Sequence, residues 1–127
     1  MKGLFGALFG SSEEIGPGIP ELDSPEEIDR VISLDPVVVF KHSPTCVTSL
    51  AAHREIMRFQ KARPEVPIYL ISVRRRRNVA QYAAERLGVE HESPQVLVLG
   101  AGRLLATASH DEVTSEFLSE SLRKQPA

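Results

Sequence analysis

The side chain best suited to covalent chemistry is Cys46, the single cysteine, within FKHSPTCVTS, Phe40 to Ser49. An apolar run of β-formers, PVVVF, precedes it and a helical pattern follows. The cysteine is therefore predicted at a strand-to-helix junction. A helix N-terminus carries unpaired N–H groups and a partial positive charge, and both favour thiolate over thiol. Cysteine pKa values fall below the free value of about 8.5 in such places. The thiolate is the species that attacks a disulfide. Lys41 and His42, just upstream, are expected to add positive charge, and Pro44 stiffens the approach. The alternative is a buried cysteine acting as a small hydrophobe. Exposure and electropositive surroundings separate the two readings, and the polar neighbours His42, Ser43, Thr45, Thr48 and Ser49 favour the reactive one.

Two further stretches could complete a site. In HESPQVLVL, Pro94 stands directly before a strand, at a point the element order places near the Cys46 junction. A cis Ser93–Pro94 bond there would leave an open backbone edge for a peptide or thiol ligand; a trans proline starting a strand is the alternative. In RRRRN, Arg74, Arg75, Arg76 and Arg77 precede a helix start, a place suited to anions, and arginine pairs carboxylates in bidentate fashion. A solvated charged loop is the competing reading. Among the histidines, His42, His53, His91 and His110, no pair has a zinc-ligand spacing, so no metal site is expected. His53 lies two helical turns beyond Cys46 and is expected to be out of reach. His42 is the candidate for tuning the thiol.

Capping signals place the elements. Ser24-Pro25-Glu26-Glu27 offers an N-cap, a proline at the first helical position and a glutamate to cap back. Asn78 and Ser109 begin similar patterns. Helices are predicted over about 25–33, 79–87 and 110–123, with Gly88 closing the second. Another helix follows Cys46 and stops before Pro64, with Ala52, Ile56 and Phe59 as its apolar stripe and Ser49 on the same line. Strands are predicted at Val37–Lys41, Ile68–Val73, Gln95–Leu99 and Leu104–Ala108, the last two joined by a hairpin at Gly100-Ala101-Gly102. The order α-β-α-β-α-β-β-α implies an α/β fold: a four-stranded mixed sheet with helices on both faces.

The 127 residues suffice for one domain, predicted over 21–124, after a glycine-rich leader over 1–20 and before a short tail, 125–127. Leu4, Phe5, Leu8 and Phe9 make the leader apolar, but the run is too short to span a bilayer and carries one lysine, unlike a secretion signal. A formal charge of −2 argues against nucleic acid or an anionic membrane as the partner. One cysteine permits no internal disulfide and fits a reducing cytoplasm.

The element order, the single cysteine after strand one and a proline before strand three resemble the thioredoxin fold. More narrowly, FKHSPTCVTS, HESPQVLVL and ASHDEVT are similar to segments of the monothiol bacilliredoxins (YtxJ-type) of the bacillithiol system, over Asp23 to Leu122. The resemblance implies that Cys46 is a nucleophile and that Pro94 is a cis-proline. It implies that Thr45 and Ser49 flank the motif, Ser49 standing where dithiol relatives keep a resolving cysteine. Val47 and Thr48 replace the family's proline and isoleucine, a departure that bears on how the helix start is held. The implied activity is one-thiol exchange: Cys46 removes a low-molecular-weight thiol, bacillithiol, from mixed disulfides on proteins, with no tightly bound cofactor. A second small thiol or a reductase must then regenerate Cys46. Two rival readings are an iron–sulfur cluster carrier of the monothiol glutaredoxin kind and a noncatalytic adaptor. The motif lacks the glycine-phenylalanine between cysteine and serine of the former.

Overall fold

The computed structural model describes residues 18–123. The elements are α1 (Pro25–Ile32), β1 (Val37–His42), α2 (Val47–Ala62), β2 (Ile68–Ser72), α3 (Arg77–Leu87), β3 (Gln95–Gly100), β4 (Arg103–Ser109) and α4 (Ser115–Arg123), with a 3-10 turn at His110–Glu112. The strands form one mixed sheet in the order β2-β1-β3-β4. β1 runs parallel to β2 and antiparallel to β3, and β3 is antiparallel to β4. The leader expected over 1–20 lies outside the described residues as far as residue 17. Its last residues join the body: Ile19 packs on the core, and the Pro20 carbonyl accepts from the Leu70 amide.

Alternation along the central strands splits the core in two, because successive strand side chains point to opposite faces. Val37, Val39, Leu97 and Leu99 pack on one face with Ile28 and Val31 of α1 and Val79 and Ala83 of α3. Val38, Phe40, Val96 and Val98 pack on the other with Ala52, Ile56 and Phe59 of α2 and Leu118 of α4. β1 and β3 are thus covered on both sides, as their unbroken apolar runs predict.

Local chemistry explains most boundaries. Ser24 caps α1 by accepting from the Glu27 amide at 3.2 Å. The Glu27 carboxylate reaches back to the Asp23 amide, one residue before the cap. Gly88 closes α3 at φ 67°, a left-handed conformation that glycine adopts without a steric penalty. Ala101 and Gly102 turn the hairpin at φ 54° and 79°, the two-residue turn that matches strand twist.

Two predicted helix starts are corrected. α3 begins at Arg77, not after Asn78: Arg76 is its cap, with no side-chain capping bond. The Arg76 amide first closes a turn onto the Ser72 carbonyl, 2.7 Å, and helical bonding begins there. Ser109 does not cap the last helix. It remains in β4 opposite Gln95, His110 turns left-handed at φ 58°, and the helix starts only when Thr114 Oγ1 accepts from the Phe117 amide at 3.0 Å.

Phe59 is fully buried where α2 meets the sheet. Phe59→Ala is expected to lower unfolding free energy by about 3–5 kcal/mol, read as a fall in urea midpoint at unchanged slope.

Candidate functional site

The register brings three segments to one end of the sheet. Lys41 and His42 close β1; His42 is level with Ser72 at the end of β2, and Lys41 with Gln95 at the start of β3. The continuations are therefore neighbours: Ser43–Cys46, Val73–Arg76 and the stretch ending in Ser93-Pro94. Arg74 confirms the approach, its guanidinium donating to Thr45 Oγ1 at 3.3 Å. The Ser93–Pro94 bond is cis, as is Asp35–Pro36, which the sequence did not flag. Pro94 is itself buried.

Cys46 is the N-cap of α2, in extended conformation at φ −101° and ψ 126°. Its carbonyl accepts from the Leu50 amide, while its own amide donates back to the Ser43 carbonyl, 3.0 Å, in a tight turn. The residue is partly exposed, and its side chain makes no capping hydrogen bond. Its environment nonetheless favours the anion. The Ser49 and Thr48 amides, aided by the Thr48 hydroxyl, hold the thiol below its ordinary pKa against a smaller opposing effect of burial. The unpaired N–H groups of a helix start thus act as weak, charge-assisted donors to a thiolate. The helix begins at Val47, where the resemblance implies a proline, and Val47 is 81% exposed.

Ser49 is wholly buried. Its Oγ accepts from the Ser43 amide at 3.0 Å, tying the first turn of α2 to the start of the loop. A serine here cannot form a disulfide with Cys46, and it supplies the bond that shapes the thiol's loop.

The histidines play a different part from the expected one. His42 stacks on Phe40 with centroids 5.2 Å apart and on His53 at 5.0 Å. Its Nδ1 is buried with no hydrogen-bond partner. Burial, with His53 beside it, drives the His42 pKa down to about 4. The ring is therefore neutral near pH 7 and adds no positive charge at the thiol. Sequence proximity could not reveal the stack, because the rings meet across β1 and α2.

The four arginines divide. Arg75 pairs with Glu21, and Arg76 with Asp23 at 3.1 Å. Arg74 faces the Cys46 loop, and Arg77 lies close enough to His91 to lower its pKa. Lys41 is fully buried and bonds His91 at 3.0 Å, a contact fifty residues apart in sequence. Neither His91 nor Gln95 was singled out from sequence as a site residue. Among the described residues no group of three or more His, Cys, Asp or Glu is arranged to hold a metal, and no helix is long and apolar enough to cross a membrane.

Ser49→Ala leaves the partly buried Ser43 amide without this partner and is expected to reduce stability by about 1 kcal/mol in urea unfolding. His42 gives a pH signature. Unfolded, its imidazole protonates near 6.5; folded, it resists to about 4. Between those values the unfolded chain holds more protons, so stability falls as pH drops from 6.5 toward 4. His42→Phe, which keeps the stack, is expected to flatten that decline in melting temperature against pH.

Comparison with known proteins agrees with this geometry. One solved structure described as having a thioredoxin fold is 28% identical, covers 80% of this chain and 91% of its own, and superposes with a TM-score of 0.76. Mitochondrial thioredoxin 3 from Saccharomyces cerevisiae is 14% identical, with 84% and 95% coverage and a TM-score of 0.69. Thioredoxin from Trypanosoma brucei brucei is 16% identical, with 84% and 89% coverage and the same TM-score. The model of the monothiol bacilliredoxin BrxC family matches residues 20–118. With its one cysteine capping α2 at the end of a thioredoxin-fold sheet, the chain is a thiol–disulfide oxidoreductase and belongs to the monothiol bacilliredoxin BrxC family.

Proposed function

We propose that Cys46 removes a low-molecular-weight thiol, bacillithiol, from mixed disulfides on cytoplasmic proteins. The observation that carries this reading is a lone thiol favoured as thiolate at a helix start, with buried Ser49 three residues on. The Cys46 thiolate attacks the small thiol's sulfur in a protein–S–S–R disulfide. A new Cys46–S–S–R bond forms, the old bond breaks, and the protein sulfur leaves as thiolate and takes a proton. Ser49 cannot displace R, so a second small-thiol molecule or a partner reductase attacks the adduct. With the small thiol, the products are R–S–S–R and free Cys46. The net reaction is protein–S–S–R + R–SH giving protein–SH + R–S–S–R: the incoming small thiol's sulfur is oxidised, the protein sulfur is reduced, and the R sulfur bound at the outset stays at the disulfide level.

Arg74 supports the choice of an anionic small thiol. It stands against Thr45, next to Cys46, and pairs with no carboxylate among the described residues, whereas Arg75 and Arg76 are engaged by Glu21 and Asp23. The malate carboxylates of bacillithiol suit its planar fork. The anion site expected at all four arginines narrows to Arg74, with Arg77 farther along.

The test is mass spectrometry after incubation with a bacillithiolated protein. The expected result is a bacillithiol adduct on Cys46 and its loss from the substrate; no adduct at Cys46 overturns the reading. Arg74→Gln is expected to raise KM for the bacillithiol substrate about five- to tenfold with kcat little changed. An equal loss for an uncharged small-thiol disulfide would remove Arg74 from recognition.

A further inference from the structure

Lys41 and Gln95 sit directly opposite each other in the β1–β3 register, at 0% and 2% exposure. Strand alternation puts Lys41 on the face of Val37 and Val39, which is otherwise lined mainly by aliphatic side chains. A lysine in such a layer is unfavourable unless its ammonium is used. Burial is also what lowers its pKa to about 8.

Both side chains reach the same short segment. Gln95 Nε2 donates to the Glu90 carbonyl at 3.0 Å, and the Glu92 amide donates to Gln95 Oε1 at 3.4 Å. Lys41 Nζ lies 3.0 Å from His91 Nδ1. An ammonium only donates, so Nδ1 accepts, and His91 is the neutral tautomer with its proton on Nε2. Burial first and then the Lys41 charge disfavour its protonation, with a smaller push from Arg77, against a pull from Glu92 that is weaker than the Lys41 effect. The same segment is held from outside: the Glu92 carboxylate meets His110 Nε2 at 2.6 Å, and the His110 amide donates to the Pro94 carbonyl at 2.9 Å. The segment is gripped at Glu90, His91, Glu92 and Pro94, and Lys41 is the cation that enters this grip from the core.

We infer that Lys41 is a positioning residue: with Gln95 it clamps Glu90–Glu92, and so fixes Ser93-Pro94 beside the Cys46 loop for the incoming polypeptide. The word "incoming" rests on the exchange reading; the clamp does not. Lys41 acts through His91, not by lending charge to the sulfur. This is a different role from the one its place in the sequence implies.

Lys41→Met keeps the length and suits the apolar layer. Amide hydrogen exchange should then speed up at least about tenfold at Glu92 and His110, while the centre of β3 stays protected. With a cysteine peptide carrying bacillithiol, KM should rise about tenfold. Alkylation of Cys46 should keep its pH midpoint, and its rate with dipyridyl disulfide, which needs no polypeptide contact, should stay within about twofold. Thermal stability at pH 7 should not fall, because the variant no longer buries a charge. If the buried substitution fails to fold, His91→Leu removes the same bond from its partly exposed end, with the same expected outcomes. Unchanged exchange at Glu92 and His110 overturns the clamp. A parallel fall in the dipyridyl disulfide rate overturns the role, since Lys41 would then act on the thiol itself. A wild-type protein that takes no thiol from the peptide sinks the exchange reading, and amide exchange still decides the clamp.

Discussion

The site depends on the first-turn amides of α2 facing the sulfur of Cys46. They are available because no helical carbonyl precedes them, and they face the sulfur because Cys46 caps the helix in an extended conformation. That geometry requires the helix to be held at a fixed angle to the sheet. Ala52, Ile56 and Phe59 hold it by burying one stripe of α2 against Val38 and Phe40. The apolar core and the thiol's acidity are therefore linked: the stripe that stabilises the fold aims the helix start.

Around this core interaction the protein places buried polar groups in unusual number for a small sheet. Ser49 ties the loop to the helix, and Lys41 and Gln95 hold the segment before Pro94. His42 is a partly buried, neutral ring with a buried, orphaned Nδ1. Each is less favourable than an aliphatic side chain unless its geometry is used. They cluster at one end of the sheet, where three segments converge, and the two central strands are otherwise apolar. This is the pattern of a rigid scaffold presenting a site on its loops.

Much of this was legible in the sequence because it is local. Continuous aliphatic runs marked β1 and β3, Ser24 and Gly88 marked helix ends, and the Ala52–Phe59 stripe marked α2. The cysteine's junction followed from strand and helix patterns on either side. What was missed depends on contacts distant in sequence. His91 meets Lys41, and His42 meets His53, only once the chain has folded. The arginine run reads as one feature, yet its members separate because successive residues leave the chain in different directions. The late start of α4 was hidden because Ser109 has the composition of a cap and the hydrogen bonds of a strand residue.

The account's central claim is that the helix start lowers the Cys46 pKa below that of a free thiol. The most direct measurement is a titration of thiolate ultraviolet absorbance, with Cys46→Ser as the blank. The account predicts a midpoint clearly below the free-cysteine value of about 8.5. A midpoint at or above that value would contradict it.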